Sequence, residues 1–202
     1  MNTHNKIGAV VLAAGFSSRM KSPKPFLKFD PRRVFIEKII DDFVVFGCSK
    51  IVVTINPEIQ DWKDIIENYK SRNSVIFKVN DSPDNERFYS IKTGIESIGD
   101  MDYCFIHNSD NPFLDNDILK FIYAGKSDTG YTVPCNEGKG GHPVLLGKHV
   151  MNNILAEKDI GTNFKEFLKN YERINVNVGT NKILININTQ KEYEQYFKRY
   201  KI

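Results

Sequence analysis

Cysteine is scarce and scattered: Cys48, Cys104 and Cys135 have neither C-x-x-C spacing nor a histidine beside them. That excludes a disulfide framework and a zinc site, and leaves three small core residues. No run approaches the roughly 18 apolar residues of a membrane span, so no membrane role is expected. No Gly/Ser-rich or Pro-rich break, internal repeat or low-complexity tract interrupts the 202 residues. One domain over residues 1–202, with one sizeable core, is therefore expected. Net charge is only +3, too weak to argue for nucleic acid. No G-x-G-x-x-G follows the first apolar run, which argues against a dinucleotide-binding dehydrogenase. The polar start, residues 1–6, does not resemble a secretory signal, and a cytoplasmic location is expected.

What is present is an α/β alternation. Residues 7–12 are apolar and β-branched enough for a buried strand, and residues 34–46 read as a helix stopped by Gly47. Strands at 50–55 and 75–79 enclose a helix carrying Ile59, Trp62, Ile65, Ile66 and Tyr69. A helix with Ile91, Ile95 and Ile98 leads to a strand at 103–106. Strands separated by helices of this length predict right-handed crossovers and a three-layer α/β/α fold with a Rossmann-like, mostly parallel sheet. In such sheets ligands sit at the carboxyl ends of the strands, which places the loop after Leu12 beside the loop after Ile106.

The second half predicts a short helix at 118–123, strands at 131–135 and 144–146, and helices at 148–155 and 163–171. Strands at 174–178 and 183–187 follow, with a last helix at 190–200 capped by Thr189. The mixed character of this half makes the sheet mixed as well.

The loop after the first strand is the chemical centre of the sequence. It reads Leu12-Ala13-Ala14-Gly15-Phe16-Ser17-Ser18-Arg19-Met20, then Pro23-Lys24-Pro25-Phe26-Leu27. A backbone of Ala, Gly and Ser can curl so that several N–H groups point at one anion, with Arg19 and Lys24 holding oxygens farther out. Lys21, Lys28, Arg32 and Arg33 add to a basic entrance suited to a small polyanion. A plain strand-to-helix turn would need only Gly15.

The pattern L-A-A-G-x-S-S-R-M followed by P-K-x-x-L resembles the signature of MobA-like NTP transferases, within the nucleotidyltransferase superfamily, and the branch that makes molybdenum cofactor dinucleotides above all. The resemblance implies a fold of the nucleotide-diphospho-sugar transferase type, and implies that Leu12, Ala13, Ala14, Gly15, Arg19 and Lys24 meet the nucleotide. Ser90 and Gly94 match a family stretch lying over the nucleotide, although its leading glycine is absent; Ser90 is either a base or ribose contact or a plain helix-face serine. Asn108-Ser109-Asp110-Asn111-Pro112 is similar to G-D-x-P, which makes Asp110 the first metal ligand, with Mg²⁺ the usual oxygen-liganded choice. A turn-capping Asp is the bland alternative.

Ile185-Asn186-Ile187-Asn188-Thr189 resembles the family's D-[IV]-D-T, with amides in place of both carboxylates; Asn188 is implied as a weaker metal ligand. Gly140-Gly141-His142-Pro143-Val144 resembles G-H-P-[VI], which implies Gly141, His142 and Pro143 near the acceptor; a hairpin histidine remains open. Asp159-Ile160-Gly161-Thr162-Asn163 departs from the branch's G-D-x-G-A-R, since Asn163 stands for the Arg. His4, His107 and His149 have no partner pattern and read as structural or surface residues, and Lys198, Arg199 and Lys201 read as a solvated face.

The resulting expectation is an Mg²⁺-dependent nucleotidyltransferase in which Arg19, Lys24 and Asp110 serve catalysis. Ala14 suggests CTP, because the cytidylyl branch reads L-A-A-G where the guanylyl branch reads L-A-G-G. G-H-P-V implies molybdopterin as acceptor, with a transient molybdoenzyme partner and a monomeric chain. A sugar or alcohol phosphate acceptor stays open, as does a non-catalytic nucleotide-binding regulator.

Overall fold

The computed structural model describes residues 5–15, 20, 22–80, 87–159 and 161–197. The expected alternation is present in its first half as β1 (Ile7–Ala13), α1 (Phe35–Phe46), β2 (Lys50–Ile55), α2 (Trp62–Tyr69), β3 (Val75–Val79), α3 (Arg87–Ile98) and β4 (Tyr103–Asn108). The second half adds α4 (Asn116–Ala124), β5 (Tyr131–Asn136), β6 (Lys139–Gly140), β7 (Val144–Gly147), α5 (Lys148–Ala156), α6 (Phe164–Leu168), β8 (Arg173–Asn177) and α7 (Gln190–Tyr196).

Among the described residues these strands form one eight-stranded sheet in the order β3-β2-β1-β4-β7-β5-β6, with β8 pairing β5. β3, β2, β1 and β4 are mutually parallel, while β7 runs antiparallel to β4 and β5. Period-two alternation divides the side chains of β1: Ala9 and Val11 enter the cluster with α1, α2 and α4, and Val10 enters the cluster with α3 and α5. Both faces are therefore covered, giving the predicted three layers. All three cysteines are buried and free. Among the described residues no helix is long and apolar enough to cross a membrane.

In α1, Ile36, Ile39, Ile40 and Phe43 are fully buried at helical spacing. The Val34 amide donates to Glu37 Oε2 (3.0 Å) at its start, and Gly47 ends it at φ 100°. α3 lies so close to β1 that a Cβ added at Gly94 would stand 2.4 Å from Val10 Cγ1. Gly94 thus serves helix-to-sheet packing. Gly94→Ala is expected to cost about 1–3 kcal/mol through overpacking against a stiff, buried valine, measured by urea unfolding; an unchanged midpoint would contradict this packing account.

Four expected elements differ: the helix expected to carry Ile59 begins only at Trp62, the last helix, expected over 190–200, ends at Tyr196, and two others depart further. Residues 183–187 do not join the sheet; a 3₁₀ turn, Asn181–Leu184, leads into irregular chain. Their backbone pairs with loops instead: Ile183 O accepts from His142 N (3.0 Å) and Ile187 N donates to Asp110 O (2.8 Å). The helix expected at 163–171 starts at the Asn163 cap, whose side chain accepts from the Lys165 and Glu166 amides, but ends already at Leu168.

Candidate active site

The order in which strands are added to the sheet reverses between β1 and β4: β2 and β3 lie on one side of β1, and β4 on the other. This is the switch point where open α/β sheets form a crevice. Leu12 sits opposite Asn108 in register, and the Ser109 amide donates to Leu12 O (3.1 Å). The loops after β1 and β4 are thereby joined, as expected.

Lys24 opens a 3₁₀ turn, Lys24–Phe26, whose Phe26 ring packs edge-on against Trp62 at 4.7 Å. From that anchored turn Lys24 Nζ donates to Asn188 Oδ1 at 2.7 Å and lies 3.5 Å from Asp110 Oδ2. Three residues drawn from the start, middle and end of the chain therefore meet around one ammonium group.

Asn188 is delivered there by a helix cap. Glu192 accepts from the amides of Asn188 (2.7 Å) and Thr189 (2.8 Å), while Thr189 Oγ1 accepts from the Glu192 amide. α7 is in turn clamped by Tyr193 and Phe197, which pack with Leu27, Phe35 and Ile187. Asn111 completes the fastening by donating to the carbonyls of Lys182 and Ile183.

Burial pushes the Asp110 carboxyl above its ordinary range, and Lys24 opposes that shift. Among the described residues Asp110 Oδ1 is buried without a hydrogen-bond partner, as is Asn186 Oδ1. An unsatisfied carboxylate oxygen suits a hard divalent cation such as Mg²⁺. Asp110 and Asn188 are the residues that could hold it.

Ala13 and Ala14 are buried, and Leu12 is half-buried. A Cβ added at Gly15 would meet nothing within 4 Å among the described residues, so packing does not demand glycine there. Ser90 is buried and accepts a hydrogen bond from Asn80 Nδ2 (2.8 Å), which ties α3 to the end of β3. Arg19 lies outside the described residues, as do Lys21 and His4. Of the basic entrance, Arg33 is committed to Asp30 by a 2.7 Å ion pair.

Gly141, His142 and Pro143 lie between β6 and β7, and Gly141 and His142 line a cleft of about 480 Å³. A Cβ at Gly141 would fall 2.3 Å from Ile183 O, so this glycine is required by the turn packed against it. His142 Nδ1 is buried without a partner among the described residues. Arg87, Lys165 and Arg173, passed over in the sequence, line the same cleft. The signal for Arg87 was its position three residues before Ser90; Arg173 offered none.

His107 is fully buried, and because Asn111 O can only accept, His107 Nε2 carries the proton in their 2.8 Å contact. Burial lowers its pKa from 6.5 to about 4, and that of His142 to about 3. Both are depressed, so the unfolded chain binds more protons below 6.5, and their stabilisation, complete above that value, is lost as pH falls toward 4 and 3. Asp42, raised by burial to about 6, and Asp110, also raised, work in the opposite direction and offset part of the loss. A net loss of about 2–3 kcal/mol is expected between roughly pH 7 and pH 4.5, read from urea unfolding. Equal stability at the two pH values would contradict neutral buried histidines.

A mixed α/β sheet whose parallel half gathers a lysine, a carboxylate and an amide oxygen at its switch point has the build of a nucleotidyltransferase. Residues 9–174 match the MobA-like NTP transferase domain, and the chain belongs to that family of nucleotidyltransferases. It is 29% identical, over 98% of its length and 99% of the relative's, to a Clostridium perfringens (strain 13 / Type A) protein named "Probable molybdenum cofactor guanylyltransferase". The fold is similar to that of a nucleotidyl transferase from Methanothermobacter thermautotrophicus, with TM-score 0.77, 20% identity, and 97% and 98% of the two chains covered. It is also similar to 4-diphosphocytidyl-2C-methyl-D-erythritol synthase from Anaerococcus prevotii, with TM-score 0.70, 16% identity and 96% of each chain covered. The curated relative is named for guanylyl transfer, whereas the L-A-A-G motif suggested the cytidylyl branch.

Proposed function

We propose that the protein transfers a nucleotidyl group from an NTP to a phosphate-bearing acceptor, with Lys24, Asp110 and Asn188 at the centre of the site. The observation that carries this reading is the approach of Lys24 Nζ to both Asn188 Oδ1 (2.7 Å) and Asp110 Oδ2 (3.5 Å). In the reaction an oxygen of the acceptor phosphate forms a bond to the α-phosphorus, and the bond to the β-phosphate oxygen breaks. Pyrophosphate departs with that electron pair. The attacking phosphate is ionised at neutral pH, so no general base is required, and His142, neutral and buried, is not asked to be one.

Lys24 supplies positive charge where the triphosphate oxygens gather, and the backbone of Leu12, Ala13, Ala14 and Gly15 bounds the nucleotide on the other side. Among the described residues nothing packs where a Gly15 Cβ would stand, which supports close approach of a ligand there. Asp110 and Asn188 would hold Mg²⁺, which when bound neutralises phosphate charge. Arg19 is proposed as a second triphosphate cation, and Ser90 as a nucleotide contact through its tie to Asn80.

The base is read as guanine, on the strength of the 29% relative's name. A second reading, cytosine, rests on the methyl group of Ala14. Molybdopterin is the proposed acceptor, with Gly141, His142 and Pro143 beside it. The test is pyrophosphate release with each NTP against molybdopterin and against sugar phosphates, with and without Mg²⁺. Release from GTP with molybdopterin supports the reading; release only from CTP moves the base assignment, release only with a sugar phosphate removes molybdopterin, and no release under any condition removes catalysis.

A further inference from the structure

The carbonyl of Ile183 is a junction between two loops of the site. Ile183 is buried, and its oxygen accepts from two donors at once, Asn111 Nδ2 (3.2 Å) and the His142 amide (3.0 Å). Both lone pairs of that oxygen are therefore used. Neither donor is free to drift. Asn111 is buried; its Oδ1 accepts from the Phe113 amide (3.3 Å), and its backbone carbonyl accepts from His107 Nε2 on β4 (2.8 Å). On the other side the Gly141 amide donates to Pro134 O (2.8 Å), and a Cβ at Gly141 would stand 2.9 Å from Ile183 Cβ. Farther along the same segment the Ile187 amide donates to Asp110 O (2.8 Å), and Asn188 receives Lys24. Residues 183–188 are thus pinned at one end by Asn111 and His142, and at the other by Asp110 and Lys24.

We infer that Asn111 is a positioning residue: through the Ile183 carbonyl that it shares with the His142 amide, it holds the bend at 141–143 in fixed placement relative to Asp110 and Asn188. The inference rests on the nucleotidyltransferase reading, which gives the two ends of the segment their roles. Transfer requires the attacking oxygen and the α-phosphorus to be aligned, and a misplacement of about 1 Å can cost about 10²-fold in rate. A segment fastened at both ends maintains that alignment without touching either substrate. Asparagine suits the position because it must accept from one amide and donate to carbonyls; aspartate can only accept, and alanine does neither. A local turn would need only the bond from Phe113, whereas the bonds from Nδ2 reach Lys182 and Ile183, 71 and 72 positions away. Contacts added at Asp110 and Asn188 by a nucleotide and its metal ion restrain one end of the segment, and a segment that opens as a unit passes the restraint to the other.

The experiment is amide hydrogen exchange of the full chain, read by NMR at His142 and Ile187. It is run on the free protein and with Mg²⁺ plus whichever of GTP and CTP binds the wild type more tightly. In the wild type the nucleotide and Mg²⁺ are expected to slow exchange at Ile187 and, across the segment, at His142, by about tenfold or more. Asn111→Asp keeps the shape and the acceptor for Phe113 but loses the donor. In that variant and in Asn111→Ala the response at His142 should vanish while Ile187 still responds. A wild-type His142 amide indifferent to bound nucleotide overturns the inference without recourse to any variant. A His142 response in Asn111→Asp equal to that of the wild type overturns it as well. A wild-type chain that binds neither nucleotide overturns the nucleotidyltransferase reading, and this inference falls with it.

Discussion

Replacing Asp110 by asparagine is expected to slow nucleotidyl transfer about 10²- to 10³-fold while the chain stays folded. The carboxylate lies half-buried at the end of β4, with Oδ2 toward Lys24 and Oδ1 without a partner among the described residues. Its pKa is raised by burial, so the folded protein holds this charge at a cost that a neighbouring cation offsets. An amide of the same shape keeps the contact with Lys24 possible and removes the negative charge. If the charge only served folding, Asp110→Asn would leave the rate near that of the wild type and change stability instead. If it gathers a cation for the triphosphate, the rate falls and the folded state is little affected. Steady-state pyrophosphate release together with urea unfolding separates the two outcomes, and an unchanged rate would remove Asp110 from the site.

Lys24→Met should be comparably slow, about 10²- to 10³-fold, and in addition less stable by about 1–3 kcal/mol. Methionine keeps the apolar stem and deletes the ammonium group. Asn188 Oδ1 loses its 2.7 Å donor and Asp110 loses its nearest cation. The stability loss should shrink when Asp110→Asn is added, because the uncompensated carboxylate is then gone; a coupling of about 0.5–3 kcal/mol is expected for groups in contact. Strict additivity in that double-mutant cycle would show that the ion pair contributes little. Loss of rate without the stability penalty would place Lys24 on the substrate alone.

The convergence of Lys24, Asp110 and Asn188 was legible because each lies at the end of a strong local pattern. The strand ending in Ala13, the strand ending in Asn108 and the Thr189 cap could each be read from a few residues. The sheet rule then brought the first two together without any knowledge of the third dimension. Residues 183–187 misled for a related reason. Ile183, Ile185 and Ile187 alternate as a strand would, yet Ile183 packs into the cluster under α1 and α4 while Ile187 packs with Phe35 and Tyr193. Period two records that alternate side chains are buried, and it is silent on whether they share one partner.

The cations of the cleft were illegible for a different reason. Arg173 looks like any charge opening a strand, and only the pairing of β5 with both β6 and β8 lays it across Gly140. That meeting joins segments more than thirty residues apart in sequence. Arg33 shows the reverse error: it counted toward a basic entrance, yet its guanidinium is held by Asp30 three residues away. Charge can be counted in a sequence, but its partner cannot.

On the reading proposed above, Lys24, Asp110 and Asn188 form the site where a metal-bound triphosphate is held. Isothermal titration of GTP into the wild-type chain and into Asp110→Asn, each with and without Mg²⁺, tests it most directly. Mg²⁺ is expected to strengthen GTP binding to the wild type about tenfold or more and to do nothing of the kind for the variant. Equal strengthening in both proteins would contradict it.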